Sequence, residues 1–260
     1  MKPVPPFLSM FQTCNEHLEL GRQAAARSAY PVAAKEFAAA AKVCPNTAQI
    51  LISLGQMQFL SGDALAAERT LSSLNTTEAH YALGRIYYEQ SRYPEAVAQL
   101  QRVVALESDN YRAHDNLGLC YDALQRDTEA LRHFLRALDL VKDAHPEYDW
   151  VYANLAEFFL KRDQDEKAFQ LAAEAAKRNN GSARNFYLAG RALVKLDRDE
   201  TSLRWLNQAV ELDPQYAEAH FQLGQAYKRL GRTNESKKHM ETFRQLKVLS
   251  KSKSGPQPRL

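Results

Sequence analysis

The stretch TEAHYALGRIYYEQSRYPEAVAQLQRVVALESDN, residues 77–110, decides the fold. Its apolar residues recur at spacings of three and four in two runs, the first around Leu83 and Ile86 and the second from Ala96 to Val104. This spacing is typical of amphipathic helices. Pro94 stands where the second helix begins, because a first helical turn does not need its missing amide proton. The stretch therefore predicts a helical hairpin.

This hairpin is one copy of a unit that occurs seven times. Each copy carries a Gly or Ala, followed twelve residues later by another small residue, which predicts that two helices approach closely there. The first of these small residues lies at 21, 55, 84, 118, 156, 190 and 224, with successive spacings of 34, 29, 34, 38, 34 and 34. Because such hairpins bury their apolar faces only against their neighbours, we expect an all-α fold in one tandem array.

The copies share further residues at fixed positions. The first copy shows them as His17, Leu20, Gly21, Ala24, Ala33, Phe37, Ala40 and Pro45. The same pattern starts at His114 in the fourth copy and at His220 in the last. It resembles the tetratricopeptide repeat (TPR) over nearly the whole chain. The resemblance implies a right-handed α-solenoid, which is a superhelix of tandem helix-turn-helix hairpins.

The repeat period also predicts the organisation of the chain. The boundaries are an N-terminal extension at 1–13, repeats at about 14–47, 48–76, 77–110, 111–148, 149–182, 183–216 and 217–250, and a tail at 251–260. The tail is polar and contains Pro and Gly, with nothing to pack against, so we expect it to be disordered.

Charge and composition exclude several classes of function. Lys and Arg number 34 and Asp and Glu 31, but Lys251, Lys253 and Arg259 lie in the tail, so the remaining chain balances at 31 against 31. A balanced repeat surface gives no support for nucleic-acid binding. No apolar run is long enough for a membrane span, so we expect no membrane insertion. Three scattered cysteines do not predict a disulfide framework, which makes a reducing, cytoplasmic location the default.

No motif in the chain predicts catalysis. His17, His80, His114 and His220 occupy one repeat position that the TPR family fills with a large packing residue. Copies one repeat apart lie on different helices, too distant to share a metal ion, so we interpret them as core residues. There is no nucleophile elbow, phosphate-binding glycine loop or HExxH motif. We therefore predict a protein that is not an enzyme, with no catalytic residues, no metal site and no cofactor.

The functional prediction rests on the first helix of each hairpin. In the TPR family its second, fifth, ninth and twelfth positions usually line a concave groove, and these positions share one helical face. Aromatic and arginine side chains at such positions are typical of protein-recognition surfaces. The predicted partner-binding residues are Tyr81, Arg85, Tyr88, Arg112, Trp150, Arg184, Tyr187, Arg191 and Phe221. Some of these aromatic side chains are also candidates for packing between neighbouring first helices.

From these residues we predict a non-catalytic interaction scaffold or adaptor that binds a peptide or helix of a partner protein in its groove. One alternative is a bacterial envelope factor for pilus or secretion assembly, which would be periplasmic if a native targeting sequence had been removed. Another is the regulatory TPR segment of a larger enzyme. Self-association is also open, since a poorly covered apolar end of the array can pair with a second copy.

Overall fold

The computed structural model describes residues 6–45 and 47–253, with side chains described for 13–45 and 47–249. Within this range the chain forms fourteen α-helices and no strand, and no helix is long and apolar enough to cross a membrane. The helices are α1 Pro6–Ala26, α2 Tyr30–Val43, α3 Ala48–Leu60, α4 Ala64–Ser72, α5 Thr77–Glu89, α6 Tyr93–Leu106, α7 Tyr111–Ala123, α8 Asp127–Val141, α9 Trp150–Leu160, α10 Asp165–Arg178, α11 Ala183–Lys195, α12 Asp199–Leu212, α13 Ala217–Arg229 and α14 Thr233–Lys253. The predicted all-α class of tandem helical hairpins is confirmed.

Two compact units make up the chain, unit 1 at Met1–Cys120 and unit 2 at Tyr121–Gly255. Unit 1 holds the hairpins α1/α2, α3/α4 and α5/α6, and unit 2 holds α9/α10, α11/α12 and α13/α14; in each of these the two helices pack together. Helix α1 begins at Pro6, inside the predicted extension, and α14 continues to Lys253, inside the predicted tail. The rest of the predicted tail, 254–260, lies outside the described residues.

A tight left-handed turn follows each first helix. One residue of each turn has a positive φ, and five of these seven residues are not glycine. They are Ser28, Gly62, Ser91, Gln125, Asp163, Asp197 and Gly231. The next amide returns to a carbonyl of the last helical turn, as Arg92 N does to Tyr87 O at 2.8 Å. This hydrogen bond satisfies a free helix-terminal carbonyl and reverses the chain for the second helix.

The recurring small residue contacts a large side chain of the second helix. A Cβ added to Gly84 would lie 2.7 Å from Leu100 Cγ and 3.5 Å from the Ala96 carbonyl oxygen. Gly190 meets Leu206 Cγ in the same way, at 2.6 Å. The large side chain that fills the space beside the glycine is therefore the residue sixteen positions later. The predicted close approach of the two small residues is also present, because Ser236 Oγ donates to the Gly224 carbonyl, twelve positions earlier, at 2.7 Å.

In unit 2 a basic side chain at one repeat position joins successive first helices. Lys195 Nζ donates to the Leu160 carbonyl at 3.0 Å, and Arg229 Nη2, one repeat later, donates to the Val194 carbonyl at 2.7 Å. Each basic group also pairs with two carboxylates beyond the preceding helix: Asp163 and Asp165 for Lys195, and Asp197 and Asp199 for Arg229. A cation is favourable at a helix C-terminus, so these contacts fix neighbouring first helices side by side.

Candidate partner-binding faces on the first helices

Every predicted partner-binding residue lies on a first helix. We define the N-terminal face, in unit 1, as Tyr81, Arg85 and Tyr88 of α5 with Arg112 of α7. We define the C-terminal face, in unit 2, as Trp150 of α9, Arg184, Tyr187 and Arg191 of α11, and Phe221 of α13. Within unit 2, α11 contacts both α9 and α13. In unit 1, a hydrogen bond joins α5 and α7. Each face therefore combines side chains from neighbouring repeats.

A hydrogen bond between repeats organises the N-terminal face. Asn116 Nδ2 on α7 donates to the Tyr81 hydroxyl oxygen at 3.1 Å and to the Arg112 carbonyl at 2.8 Å. Burial raises the pKa of Tyr81 above its ordinary value of 10, while the charges of Arg85 and Arg112 oppose that rise and the charge of Asp115 adds to it. The hydroxyl is therefore protonated at neutral pH and keeps its proton to donate.

Two guanidinium groups of the N-terminal face remain without a carboxylate partner among the described residues. Arg85 is half-buried and Arg112 is exposed, and neither forms an ion pair. The Arg112 guanidinium lies 5.5 Å from the centre of the Tyr111 ring. By contrast, Tyr88 packs within its own hairpin, with its ring centre 5.6 Å from that of Tyr93. The arginines and Tyr81 are thus the groups of this face that offer donors.

The most exposed aromatic residue of the predicted set lies on the C-terminal face. Trp150 has 57% of its surface exposed, and the Arg184 guanidinium lies 5.8 Å from its ring centre. Arg184 Nη2 donates to Asn154 Oδ1 at 3.0 Å and to Glu157 Oε2 at 2.8 Å. Because α9 neutralises and orients Arg184, this guanidinium can support the tryptophan ring but has less capacity left for a partner.

Two other aromatic residues of the C-terminal face are packing residues. Tyr187 is buried and its ring centre is 4.9 Å from that of Tyr216. Burial raises the pKa of its hydroxyl, and the charge of Arg191 opposes that rise. Phe221 is half-buried with its ring centre 5.1 Å from that of Phe243 on α14. Any contact that these two rings make with a partner involves only their exposed edges.

Sequence reasoning missed Asn116 and Asn154, which are the sixth residues of their repeats. Asn116 contacts Tyr81 across the repeats, and Asn154 holds Arg184. The signal was present, because each asparagine follows a predicted site residue, Arg112 or Trp150, by four positions and so lies on the same helical face. Partner binding by the predicted site residues remains a prediction, to which the structure adds the contacts that each residue makes.

Comparison with known proteins agrees with the repeat period. A family model described as "TPR repeat" matches residues 190–231, and two described as "Tetratricopeptide repeat" match 81–149 and 218–246. The chain is a tetratricopeptide repeat protein. No curated protein matches it in sequence.

Solved structures share the fold of this TPR protein at low sequence identity. A tetratricopeptide repeat protein from Parabacteroides merdae is 12% identical with a TM-score of 0.67, over 90% of this chain and 93% of its own. PilF from Pseudomonas aeruginosa is 20% identical with a TM-score of 0.64, over 81% and 96%. MamA from Desulfovibrio magneticus is 20% identical with a TM-score of 0.54, over 69% and 97%. At these identities the likeness concerns the fold alone.

Three of the four recurring histidines of this TPR protein, His80, His114 and His220, are buried packing residues, as predicted. His17 is only half-buried, with its Nδ1 2.7 Å from Glu36 Oε2 on α2. His80 uses both ring nitrogens, with Nδ1 2.8 Å from Gln99 Oε1 and Nε2 3.0 Å from Asn75 Oδ1. His220 is likewise 3.2 Å from the Pro214 carbonyl and 3.0 Å from His239 Nδ1. These contacts tie the loop before each first helix to the hairpin. Among the described residues, no group of three or more His, Cys, Asp or Glu is placed to hold a metal ion.

The cysteines differ from the sequence expectation. Cys14 and Cys44 form a disulfide with their Cα atoms 5.2 Å apart, whereas Cys120 is buried and free. The two are 30 positions apart in sequence. Cys14 lies near the middle of the long helix α1, and Cys44 directly follows the end of α2, so the antiparallel hairpin brings them side by side. A single disulfide within one hairpin is not a framework, but it removes the reason for taking a reducing compartment as the default.

Proposed function

We propose that this TPR protein is a non-catalytic interaction scaffold whose first-helix faces bind a segment of a partner protein. The observation that carries the proposal is Trp150, a large aromatic side chain left exposed beside Arg184. Aromatic and arginine side chains contribute most to protein interfaces, and Trp150 needs little ordering because Arg184 is already fixed by α9. Tetratricopeptide arrays are typically non-catalytic, which also favours a binding function.

Replacing Trp150 with Ala tests the proposal. Loss of a central tryptophan anchor costs about 2 kcal/mol or more, so we expect partner affinity to fall roughly 30-fold or more. The intact protein and W150A would be compared by affinity capture, and Kd would then be measured by fluorescence anisotropy on the partner segment that is identified. Circular dichroism would establish equal helicity.

A matched control removes exposed apolar side chains from second helices. Leu65 on α4 and Leu106 on α6 are both largely exposed. The variant L65A/L106A should bind the partner as the intact protein does. The proposal fails if W150A captures and binds the same proteins with unchanged affinity, or if only the control variant loses them.

The disulfide favours a second candidate, a factor of the bacterial envelope involved in pilus or secretion assembly. Disulfides persist in oxidising compartments such as the periplasm and are rare in the reducing cytosol. Alkylating free thiols in intact cells at the moment of lysis, followed by mass spectrometry, tests this placement. Cys14 and Cys44 joined at harvest would favour the envelope, whereas alkylation of both would return the protein to a reducing compartment.

A further inference from the structure

The side chains where α5 meets α7 in unit 1 form a distinct cluster. Tyr81 and Arg85 are one helical turn apart on α5, and Arg112 and Asn116 are one turn apart on α7. The Asn116 to Tyr81 hydrogen bond, at 3.1 Å, joins the two pairs. We call these four residues the first corner. Its parts are therefore held together without any partner.

The first corner carries positive charge that the protein leaves unpaired. The charges of both Arg85 and Arg112 act on the Tyr81 hydroxyl, and among the described residues neither arginine forms an ion pair. Elsewhere on the first helices Arg184, Lys195 and Arg229 each have carboxylate partners. Guanidinium groups offer forked donors that match the two oxygens of a carboxylate. The unpaired arginines of the first corner thus provide donors for an anion.

The charge balance of the first corner indicates which anion fits. Asp115, only 2% exposed, lies within electrostatic reach of the Tyr81 hydroxyl. Two guanidinium groups and one carboxylate leave a net charge of about one, which a single carboxylate neutralises and a doubly charged phosphate over-neutralises. Tyr81, whose oxygen accepts from Asn116, keeps its own proton for a third hydrogen bond to the anion.

We propose that the first corner binds the side-chain carboxylate of an Asp or Glu in an acidic segment of the partner protein. This inference rests on the proposed function, since it names the chemistry of the partner at one of the two faces. Arg85 and Arg112 supply charge-assisted hydrogen bonds, and Tyr81 supplies a neutral one.

Unit 2 contains an equivalent corner with the opposite charge. Tyr187 and Arg191 have the same repeat positions as Tyr81 and Arg85, but Glu218 occupies the position of Arg112. The positive charge of Arg191 acts on the Tyr187 hydroxyl, and the negative charges of Glu218 and Glu157 oppose it there. This second corner has no excess positive charge, so we do not expect it to share the preference for a carboxylate.

A random-peptide display selection on the intact protein tests the proposal. We expect the selected peptides to share an Asp or Glu at one fixed position. Charge-assisted hydrogen bonds are worth about 1.5–3 kcal/mol each, so changing that residue to Gln or Asn, or Arg112 to Ala, should weaken binding roughly 10- to 100-fold. The variant R112E should select Lys or Arg at that position. The control R102A, at an exposed arginine of the second helix α6 that lies outside both faces, should retain the acidic preference.

Each contrary result has its own meaning. Peptides that bind in a Trp150-dependent manner without an acidic position would overturn this inference and leave the proposed function standing. An acidic preference that survives R85Q/R112Q, in protein of unchanged helicity, would also overturn it. Tighter binding of a phosphoserine peptide than of its Glu counterpart would reject the carboxylate. Failure to select any peptide would count against both proposals.

Discussion

Unit 1 and unit 2 repeat the same hairpin, but different contacts hold their first helices. In unit 2, Lys195 and Arg229 each reach the end of the preceding first helix. The same repeat position in unit 1 holds Leu60 and Glu89, which cannot supply a cation. Unit 1 instead has a disulfide across its first hairpin. The repeat therefore determines where helices lie, while residues at a few variable positions determine what stabilises each contact.

The two corners show that residues at variable positions also distinguish the binding chemistry of the two units. Tyr and Arg stand at identical positions in each, but Arg112 in unit 1 is replaced by Glu218 in unit 2. Glu218 in turn is paired with Lys247 of α14 at 2.6 Å. One change of sign thus separates a corner with unpaired positive charge from one whose charges are matched internally. The units are expected to respond differently to the following changes.

Removing the disulfide should have the largest effect and should be confined to unit 1. Linking residues 30 positions apart restricts the unfolded chain, and the loop-closure model gives about 3–4 kcal/mol for a loop of this size. In C14S/C44S we expect hydrogen exchange in α1 and α2 to accelerate, while exchange in α9 to α14 stays unchanged. The reducing agent dithiothreitol should reproduce this in the intact protein and have no effect on the variant. Equal acceleration in both units would contradict the prediction.

Gly84→Ala should destabilise unit 1 by up to about 2 kcal/mol. The new Cβ would lie 2.7 Å from Leu100 Cγ, and overpacking of about 1–3 kcal/mol exceeds the gain of about 1 kcal/mol in helix propensity. The hairpin α9/α10 of unit 2 suggests a suitable background for this change. There Ala156 takes the place of Gly84 and Ala172, sixteen residues later, takes the place of Leu100, and both are buried. In L100A the same G84A change should become stabilising, because its methyl group enters vacated space.

The measurement for this cycle is urea unfolding of the intact protein, G84A, L100A and the double variant. The decisive quantity is the sign of the G84A effect in the two backgrounds. If G84A destabilises both by the same amount, Leu100 does not limit the space above Gly84.

Acid should weaken unit 2 at a higher pH than unit 1. Burial, with the charges of His220 and Lys238, lowers the pKa of His239 to about 4 from its ordinary 6.5. The folded state therefore resists protonation, and stability present above pH 6.5 is lost as the pH falls towards 4. The half-buried ring limits this loss to roughly 1 kcal/mol. Glu68 in unit 1 has a pKa lowered by Arg92 and Tyr87, so its contribution falls only below pH 4.5.

Hydrogen exchange of α13 and α14 between pH 7 and pH 4, corrected for intrinsic rates, would measure the acid effect. H239Q keeps a polar side chain that does not titrate. In this variant the loss of stability between pH 6.5 and pH 4.5 should therefore be smaller than in the intact protein. A loss of the same size in H239Q would assign the acid sensitivity to other groups.

The repeat period predicted the parts of the fold that depend on local pattern. Pro94, for example, lies in the first turn of α6 as its sequence context indicated. The contact between Gly84 and the Leu100 side chain depends on how the two helices cross, which the spacing of small residues does not predict. Cys14 and Cys44 meet because the hairpin is antiparallel. The repeat pattern predicted the hairpin but not this disulfide.

The candidate site was less predictable, because side chains from neighbouring repeats determine which residues remain available. Tyr187 was selected by repeat position, but Tyr216 covers its ring. Arg184 and Arg112 have the same repeat position, and only Arg184 is paired, because Glu157 is on the preceding first helix. Position within a repeat thus identifies the face, and contacts between repeats decide the chemistry that each position offers.

The smallest expected effect concerns the left-handed turns. Ser91 in unit 1 has a φ of 59° and Asp163 in unit 2 a φ of 54°. A non-glycine residue there costs about 1–2 kcal/mol, and glycine's greater unfolded-state freedom returns about 0.5–1, so Ser91→Gly should stabilise by about 0.5–1 kcal/mol. Asp163→Gly should gain less, because it removes the ion pair with Lys195 at 2.7 Å.

The difference between the two glycine variants measures that ion pair. The Asp163 side chain is 86% exposed, and exposed ion pairs contribute about 0.2–1 kcal/mol. The free energy of unfolding of D163G should therefore be close to that of the intact protein. The control S91A removes the hydroxyl but keeps the strained φ, and it should not stabilise. In urea unfolding, equal gains for S91G and D163G would mean that the pair with Asp163 contributes nothing, leaving Asp165 and the Leu160 carbonyl to hold Lys195.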